Sequence, residues 1–306
     1  MNKPLVAILM STYNGEKYLV EQINSILKQS YDNFHLFIRD DASTDSTPKI
    51  LKQFENDSKV TICFSQHNLG YKNSFLHLLR LVTSYEKKFD FYSFSDQDDF
   101  WSNDKIKMGI EKLISCNHQK YVVYFTGLTF VDENLNFLKN KDESKTITTF
   151  GGEMVRHSVS GATTILSRPL AELAVKFDEV YKLPGGHDAF IFRLNSAIGG
   201  NFIKDSRSFI KFRRHSDNVS SATKGFCYRI SCELKTDEQI VYSTAKLIKE
   251  KYYNYVTNDN KVLLNQLLKY DTSLFSKVKL IRNKKFRREH VIMNIIFFFR
   301  VLMNRV

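Results

Sequence analysis

The first 130 residues alternate between two hydrophobic patterns, and this alternation predicts the fold. Short apolar runs typical of strands buried on both faces occur at 5–11, 34–40, 60–65 and 91–96. Helical spacing of apolar residues follows each of the first three runs, most extensively at 71–88. Strands that alternate with helices in this way form βαβ units, so we predict an α/β fold with a mostly parallel sheet flanked by helices.

Polar residues follow each of these four strands. The carboxyl ends of parallel strands lie at one edge of the sheet, where such folds bind ligands, so we expect these side chains to converge on one crevice. The polar segments are Ser11 to Asn14, Asp40 and Asp41, Ser65 to Asn68, and Asp96 to Asp99.

The pattern becomes less regular in the second half of the chain. Residues 133–150 are polar and irregular, and 160–168 predict a further strand. Residues 185–200 predict a helix between two glycine pairs, and 208–218 predict a last strand that runs into a polar turn.

A change of composition near residue 225 predicts a boundary. Residues 226–306 contain neither Gly nor Pro, which favours helices, whereas 1–225 read as an α/β domain with halves at about 1–130 and 131–225. The C-terminal region holds 16 Lys and Arg against 7 Asp and Glu, and so carries most of the net charge of +12. Such a surplus indicates either an anionic partner, nucleic acid or a lipid surface, or a solvated helical face.

The composition excludes several classes of protein. With 42% hydrophobic and 25% charged residues the chain has enough apolar material for a sizeable core. The four cysteines have no paired spacing, which argues against a disulfide framework or a zinc site and fits a reducing cytoplasm. The first apolar stretch is too short and too early for a signal peptide. Glycine-rich phosphate loops are absent, which argues against a dinucleotide-binding oxidoreductase or a P-loop kinase.

Three carboxylates, Asp96, Asp98 and Asp99, fall within four consecutive positions just before Trp101, the single tryptophan. Hard cations prefer oxygen ligands, and magnesium commonly takes one or two protein carboxylates together with phosphate oxygens. The alternative is that Asp98 or Asp99 caps the helix that carries Ile106, where the helix dipole favours acidic residues. The residues alone leave both interpretations open.

A second acidic group, "RDDASTDST", follows the strand at 34–40. The Asp41 carboxylate could accept a hydrogen bond from a pyrimidine imide N–H, and Tyr13 could stack on a base. For Asp45 and Ser46 we predict helix capping instead.

Segments in this order resemble the motifs of family-2 glycosyltransferases with the GT-A fold: "ILMSTYNGEKYLVEQINSILKQSYDNFHLFIRDDASTDST", "HNLGYKNSF" and "FSDQDDFW". The resemblance covers residues 4 to about 220, and the Asp-Gln-Asp-Asp-x-Trp form is similar to bacterial rhamnosyltransferase-type members. It implies a Rossmann-like GT-A domain, here with a C-terminal helical extension.

The resemblance also implies roles for the strand-end residues. Asp96 and Asp98 match the DxD motif, in which one carboxylate approaches the nucleotide ribose and the other binds Mg²⁺ or Mn²⁺. That metal bridges the diphosphate of a dTDP- or UDP-linked sugar, and Asp99 supports the metal site or contacts the sugar. The positions that match the nucleotide pocket and the loop closing over it are Ser11, Tyr13, Asp41, Asn68, Gly70 and Asn73.

An inverting transfer needs a general base on the acceptor hydroxyl, and the family places an aspartate at a later helix start. In "GGHDAFIF" this is Asp188, with His187 beside it; the alternative, that Asp188 caps the helix, is compatible with this role. Relatives commonly have bulky aromatics after His-Asp, where this chain has Ala189 and Phe190. This departure concerns acceptor or donor specificity.

"FRRHSDN" resembles the family's later Arg-x-His-x-x-Asn stretch. His215 is then a candidate to complete the metal shell, although a lone histidine is as often a surface or packing residue. Arg213 or Arg214 is a candidate to grip the diphosphate. Gly161, in "SGATTILSR", would border the acceptor cleft.

The predicted function is a metal-dependent, inverting glycosyltransferase that moves a sugar, rhamnose being one candidate, to a glycan or lipid-linked acceptor in cell-surface polysaccharide synthesis. One alternative is a nucleic-acid-binding protein, but "VIMNIIFFFRVLM" would be wasted in a DNA groove, so we predict no nucleic-acid partner. A second alternative is a sugar nucleotidyltransferase, which would usually show a glycine-rich, basic N-terminal loop.

The end of the chain predicts a membrane contact. In 279–306 a basic cluster precedes an apolar run of thirteen residues at 291–303, too short for the roughly 20 residues that span a bilayer. We expect attachment to the anionic inner face of the plasma membrane, and hence a cytoplasmic, peripheral protein. The alternative is that this helix packs on the protein or forms a subunit interface.

Overall fold

A computed structural model describes residues 3–116, 120–215, 239–289 and 291–306 of the chain. They form two units between which the chain passes repeatedly. The first unit comprises Met1–Ser144, Val159–Lys176 and Asn201–His215, and the second comprises Lys145–Ser158, Phe177–Gly200 and Ser216–Val306. The boundary predicted near residue 225 lies outside the described residues and stays a prediction.

The first unit is built on one mixed sheet. Its strands are β1 Val6–Thr12, β2 Phe34–Asp40, β3 Val60–Phe64, β4 Phe91–Ser95, β5 Phe100–Trp101, β6 Val122–Val131, β7 Phe137–Lys141, β8 Thr164–Ser167 and β9 Asn201–Arg213. Their spatial order is β3-β2-β1-β4-β8-β6-β9-β5, with β7 paired to β6. The strands β3, β2, β1 and β4 are parallel, as the alternating pattern predicts, and β6 is parallel to β9. The pairs β4–β8, β6–β8, β6–β7 and β5–β9 are antiparallel.

The described residues of this unit contain five α-helices. They are α1 Leu19–Leu27, α2 Thr47–Lys52, α3 Tyr71–Thr83, α4 Lys105–Ser115 and α6 Arg168–Ala174, whereas α5 Phe150–Val155 belongs to the second unit. Alternate β1 residues Val6, Ile8 and Met10 join a core with α1 and α4, as the period of two along a strand requires. Gly109 lets α4 approach the sheet, because a Cβ there would lie 2.4 Å from the Ile165 side chain.

The predicted elements agree with these strands to within a few residues, with three exceptions. The predicted strand at 160–168 begins with a 3₁₀ turn, Gly161–Thr163, and only Thr164–Ser167 is extended. The last strand begins at Asn201, seven residues before the predicted start. The strands β5, β6 and β7 are absent from the prediction, and β7 lies within the stretch read as irregular.

The second unit is helical in its described part. Its helices are α5 Phe150–Val155, α7 His187–Ala197, α8 Ile240–Lys251, α9 Asn258–Leu268, α10 Leu274–Arg282 and α11 Val291–Leu302. α7 is buried over nearly its whole length, and Asn260 of α9 donates to the carbonyls of Ser196 and Ala197 at its end, at 2.9 and 3.0 Å. Among the described helices none is long and apolar enough to cross a bilayer.

Candidate active site

The ends of β1 and β2 carry local backbone strain beside a buried hydrogen-bond network. Asn14 and Ala42 adopt left-handed φ angles of 48° and 63°, which cost non-glycine residues free energy and concentrate at functional sites. Asp40 accepts hydrogen bonds from the Thr12 and Ser43 hydroxyls and from the Ser43 backbone N–H. The two turns are therefore fixed in shape before any ligand binds.

Arg39 organises the predicted nucleotide pocket. Its guanidinium is buried and donates to Asp41, to Ser74 at 2.9 Å and to Ser65 at 2.7 Å. Ser11 donates to the same Ser74 hydroxyl at 2.6 Å, so the predicted residues Ser11 and Asp41 share one network. Sequence reasoning missed Arg39, although its place directly before the strand-end aspartates is a signal.

The loop before α3 is anchored on the same aspartate. Both Asp41 carboxylate oxygens lie 3.0 Å from the Leu69 N–H, and Asn68 accepts from the Gly70 N–H at 2.8 Å. Gly70 has φ 76° and ψ 152°, a backbone conformation that is essentially restricted to glycine. Asn73, in the first turn of α3, has a buried side-chain oxygen with no hydrogen-bond donor among the described residues.

Gln97, the second residue of Asp-Gln-Asp-Asp, joins the acidic cluster to the end of β1. Its side chain accepts from the Tyr13 N–H at 2.8 Å and donates to the Tyr13 carbonyl at 3.1 Å. Gly15 permits this approach, since a Cβ there would lie 2.4 Å from the Gln97 amide oxygen. The Tyr13 ring stays 45% exposed, which leaves its face available for stacking. Gln97 is a second residue that sequence reasoning missed.

The three carboxylates of the cluster occupy different environments. Asp98 is partly exposed, and its Oδ2 lies 2.8 Å from Nε2 of His215. Asp99 is buried, so that desolvation and then the charges of Asp96 and Asp98 raise its pKa well above the usual range. One Asp99 oxygen lies 3.3 Å from the Arg213 N–H, and the other has no hydrogen-bond donor among the described residues.

Capping of the next helix does not explain the cluster. α4 begins at Lys105, and its N-cap residue is Asp104, so neither Asp98 nor Asp99 holds that position. The capping alternative is therefore wrong for this pair. Asp96, Asp98 and Asp99 instead lie on the short connection between β4 and β5.

Trp101 and Lys105 form the buried floor beneath the cluster. The Lys105 ammonium lies 3.6 Å from the centre of the Trp101 ring and 3.0 Å from the Ser93 hydroxyl. Burial lowers the pKa of Lys105 to about 7, and the Asp99 carboxylate opposes this shift. Trp101 is fully buried in the core. Its place in the structure is therefore that of a supporting residue, not of a surface that meets a ligand.

Arg213 at the end of β9 ties the cluster to the surrounding loops. Its buried guanidinium donates to the Asp98 carbonyl at 3.0 Å, to the Glu133 carbonyl and to the Glu21 carboxylate. It also stacks over the Tyr18 ring at 4.3 Å. The sequence suggested that Arg213 or Arg214 grips a diphosphate; in the structure Nε, Nη1 and Nη2 of Arg213 each donate to one of these loop groups, and the diphosphate contact stays a prediction.

Two other predicted residues have defined surroundings in the first unit. The Arg214 guanidinium lies over the Phe130 ring at 4.7 Å, and its backbone N–H donates to Val131. Gly161 opens the 3₁₀ turn, where its carbonyl accepts from the Thr164 hydroxyl at 2.6 Å. The last three residues of "FRRHSDN" lie outside the described residues.

Asp98 and His215 have the spacing expected of neighbouring metal ligands. Ligands at 2.0–2.1 Å in an octahedral magnesium shell lie about 3 Å from their neighbours, close to the 2.8 Å between Oδ2 and Nε2. Within the described ranges no group of three or more His, Cys, Asp and Glu side chains is arranged to hold a metal ion. The pair therefore fits a partial shell that phosphate oxygens and water would complete.

Asp188 lies in the second unit, in the first turn of α7. The N-cap of this helix is Gly186, and Asp188 is the second residue of the helix. The alternative that Asp188 is the capping residue is therefore wrong. Its Oδ1 accepts from the Ala189 N–H at 2.8 Å, and its side chain is 25% exposed. His187 is buried, and desolvation lowers its pKa to about 4, which keeps the ring neutral.

His157 lies next to Asp188 in the same unit, and Glu153 lies on the other side of His157. Nδ1 of His157 lies 2.9 Å from the Glu153 carboxylate, and Nε2 of His157 lies 3.9 Å from the Asp188 carboxylate. Both residues escaped sequence reasoning. Their only signal is the i, i+4 spacing of Glu and His, but α5 ends at Val155, so His157 lies just beyond the helix that carries Glu153.

Comparisons with known proteins identify the family and the fold. The family model described as Glycosyl transferase family 2 matches residues 7–170. An uncharacterized glycosyltransferase of Haemophilus influenzae is 35% identical over 149 residues, 48% of this chain and 56% of the relative. The dTDP-rhamnosyl transferase RfbG of Shigella flexneri is 35% identical over 123 residues, 38% of this chain and 42% of the relative.

A further relative is the UDP-Glc:alpha-D-GlcNAc-diphosphoundecaprenol beta-1,3-glucosyltransferase WfgD of Escherichia coli, 31% identical over 38% of this chain and 44% of the relative. The chain thus matches about half the length of these curated relatives. Among solved structures, S. aureus TarS in complex with UDP-GlcNAc has a TM-score of 0.60 at 17% identity, covering 97% of this chain and 81% of that one. This likeness concerns the fold, and it confirms the predicted GT-A type.

Proposed function

This chain belongs to glycosyl transferase family 2, and from that premise we propose that it is a metal-dependent, inverting glycosyltransferase. Its donor is a UDP- or dTDP-linked sugar, and its acceptor is a glycan or a lipid-linked saccharide of a cell-surface polysaccharide. The proposal rests on one observation above all. A partly exposed Asp98–His215 pair, with the geometry of two metal ligands, lies at the carboxyl edge of the sheet, and Gln97 joins its loop to the hydrogen-bonded end of β1.

The residues of the first unit divide the binding of the donor between them. Tyr13 is exposed and would stack on the nucleotide base, and Asp41 and Asp96, directly after β2 and β4, would lie toward the nucleoside. Asp98 and His215 would hold Mg²⁺ or Mn²⁺, which would supply positive charge to the departing diphosphate. Arg213 keeps the Asp98 backbone in place, so that the carboxylate needs no rearrangement when the donor binds.

Asp188 is the proposed general base. It stands in the first turn of α7, its side chain is 25% exposed, and its Oδ1 is oriented by the Ala189 N–H. An inverting displacement forms the bond from the acceptor oxygen to the anomeric carbon on the face opposite the leaving diphosphate. A base that approaches from the acceptor side is what this reaction requires.

The names of the relatives guide the choice of substrates to test. RfbG is described as a dTDP-rhamnosyl transferase, and WfgD as acting on a diphosphoundecaprenol-linked sugar with UDP-Glc as donor. Rhamnose and a lipid-linked acceptor are therefore the first candidates, in line with the Asp-Gln-Asp-Asp-x-Trp form of this chain.

The test is release of nucleoside diphosphate from a panel of UDP- and dTDP-sugars with Mg²⁺ or Mn²⁺. Asp98→Asn should lower the rate at least about 100-fold, the scale of losing transition-state charge stabilisation, while thermal unfolding stays cooperative. Asp99→Asn should be milder, since a raised pKa already favours the neutral acid that asparagine resembles.

Asp104→Asn is the matched control, because Asp104 caps α4 outside the cluster and should tolerate the change within about twofold. Release of pyrophosphate instead of nucleoside diphosphate would indicate a sugar nucleotidyltransferase. Full activity of Asp98→Asn in excess EDTA would refute the metal assignment.

The proposal includes contact with an anionic lipid surface through α10 and α11. We define their apolar face by the exposed side chains Leu274, Phe275, Val278, Val291, Ile292, Ile295, Phe299, Leu302 and Met303. Exposed Lys279, Arg282, Lys284 and Lys285 accompany this face, and each cation near an anionic leaflet adds about 1 kcal/mol. Charge complementarity therefore favours a lipid surface as its occupant.

Two basic residues of the cluster in 279–306, Arg287 and Arg288, are bonded within the protein. Arg288 is buried against Glu153, and Arg287 donates to the backbone carbonyls of Ile281 and Phe286. The inner face of α11 is also packed, because Ile296, Phe297 and Val301 are buried. One face of α11 is therefore packed and the other is exposed, and it is the exposed face that we propose for lipid contact.

A further inference from the structure

We propose that His157 is a positioning residue for Asp188, and that its Nε2 receives the proton that Asp188 takes from the acceptor. Glu153 holds the opposite ring nitrogen. This inference rests on the proposed function, in which Asp188 is the general base. It concerns a Glu153–His157–Asp188 chain that lies entirely within the second unit.

The Glu153 carboxylate is held in the interior by contacts other than the one with His157. Glu153 is fully buried on α5, and its Oε1 lies 3.3 Å from the buried Arg288 guanidinium. Arg193 of α7 donates to the Glu153 carbonyl at 3.2 Å. The Glu153 carboxylate therefore has a fixed position, from which its second oxygen can accept a hydrogen bond.

This carboxylate selects the tautomer of His157. Its Oε2 lies 2.9 Å from Nδ1, so Nδ1 carries a proton and donates it, and the lone pair available to accept a further proton is the one on Nε2. The ring is also held by an edge contact with Phe192, with ring centres 4.8 Å apart. His157 is therefore fixed in both tautomer and orientation.

Nε2 of His157 is directed at the proposed base. It is buried, has no hydrogen-bond partner among the described residues, and lies 3.9 Å from Oδ2 of Asp188. Hydrogen bonds of catalytic groups are often long before substrate binds, and a small rotation of the partly exposed Asp188 would close this distance. Charged or titratable residues near the ring are Glu153, Asp188 and His187. Arg288 lies farther away and is paired with Glu153.

The proton then has a defined route. The acceptor oxygen forms a bond to the anomeric carbon, and the bond from that carbon to the phosphate oxygen breaks, its electron pair leaving with the nucleoside diphosphate. The acceptor proton passes to Oδ2 of Asp188 and from there to Nε2 of His157, while Nδ1 keeps its own proton and continues to donate it to the Glu153 carboxylate. The resulting imidazolium lies between two carboxylates, and it returns its proton to solvent through Asp188 when the product leaves.

The tautomer is tested without any substrate. Long-range ¹H–¹⁵N spectra of the full chain labelled at histidine nitrogens, with His157 assigned by its loss in His157→Gln, should show a neutral ring protonated at Nδ1 at neutral pH. A ring protonated at Nε2, whether neutral or charged, would overturn the inference, because Nε2 then has no room for the proton.

Turnover supplies the second test, with nucleoside diphosphate release from UDP- and dTDP-sugars and water as the acceptor. His157→Asn keeps a donor toward Glu153 but has no proton acceptor at Nε2. It should lower kcat about 10- to 100-fold, the scale of losing the partner behind a catalytic group, and leave the donor KM within about twofold. The double variant with Asp188→Asn should be no slower than Asp188→Asn alone.

His35→Asn is the matched control, since His35 is a half-buried histidine of β2 bonded to Thr61 and should retain full turnover. Full activity of Asp188→Asn would refute the proposed base itself. An inactive Asp188→Asn beside a fully active His157→Asn would refute only the role of His157. Equal loss of kcat and donor affinity in His157→Asn, or additive effects in the double variant, would also overturn the inference.

Discussion

Replacing Arg213 by methionine should both destabilise the first unit and disable the acidic cluster. Methionine keeps the apolar stem of the side chain but removes every guanidinium contact. Those contacts are the donations to the Asp98 and Glu133 carbonyls, the Glu21 pair and the stacking on Tyr18. Because the guanidinium is buried, water cannot replace it at the two carbonyls without reopening the loop.

The size of the loss follows from these contacts. A hydrogen bond from a charged donor contributes about 1.5–3 kcal/mol, so the two carbonyl bonds account for at least about 3 kcal/mol. The cation–π contact with Tyr18 adds about 1 kcal/mol. We count nothing for the Glu21 pair, since its carboxylate is 45% exposed and solvent screens it. The expected total is about 4 kcal/mol, a large share of an ordinary folding free energy.

Thermal and urea unfolding followed by circular dichroism measures this loss. Lys211→Met is the matched control, because it removes one charge from the same strand and only a 5.4 Å contact with the Phe100 ring. Arg213→Met should lower the midpoint by roughly 8–16 °C, and the control by about 2 °C or less. Arg213→Met should also require more metal for turnover. Equal midpoints for the two variants would refute the view that Arg213 holds the Asp98 loop.

Two further predictions concern the second unit. Burial lowers the pKa of His187 from 6.5 to about 4, so between these pH values the unfolded chain binds a proton that the folded chain does not. The free energy of unfolding should therefore fall by about 3 kcal/mol as the pH drops from 6.5 to 4. His187→Gln should flatten that slope in urea titrations, and an unchanged slope would contradict it. Phe275→Ser with Phe299→Ser should abolish sedimentation with phosphatidylglycerol vesicles while the protein stays folded, whereas intact protein that ignores these vesicles would refute lipid contact.

Substitution is a cleaner test of the lipid surface than removal of the tail. Phe286 is fully buried and Arg288 is almost so. Deleting residues 280–306 would therefore remove packed side chains together with exposed ones. Phe275 and Phe299 are 77% and 54% exposed, so serine at these positions changes the surface and leaves the packing intact.

The sequence by itself determined the parallel half of the sheet and the edge at which the candidate site lies. Strands β1 to β4 are continuous apolar runs separated by helical patterns, and such periods are local properties of a chain. The polar ends of these strands could be assigned to one edge because parallel connection imposes it. The strand β6 has the β-branched and aromatic composition of a buried strand and was predictable on the same grounds.

Local patterns did not reach the other strands. β5 has only two residues, too few for a period to appear, and β7 is polar and largely exposed. The place of β5 in the sheet depends on its pairing with β9, which is distant in sequence, and the place of β7 depends on its pairing with β6. In both pairs the position is specified by the register of the two strands.

Only the tertiary structure decided which side chains serve the site. Sequence motifs gave Asp98, His215 and Asp188, but the tasks of Arg39, Gln97 and Arg213 depend on contacts between segments up to 192 residues apart. The same holds for Glu153, which meets Arg288 only because α5 and the segment before α11 fold together. A side chain's environment fixes its ionisation and its partners, and burial is a property of the folded chain that no local pattern contains.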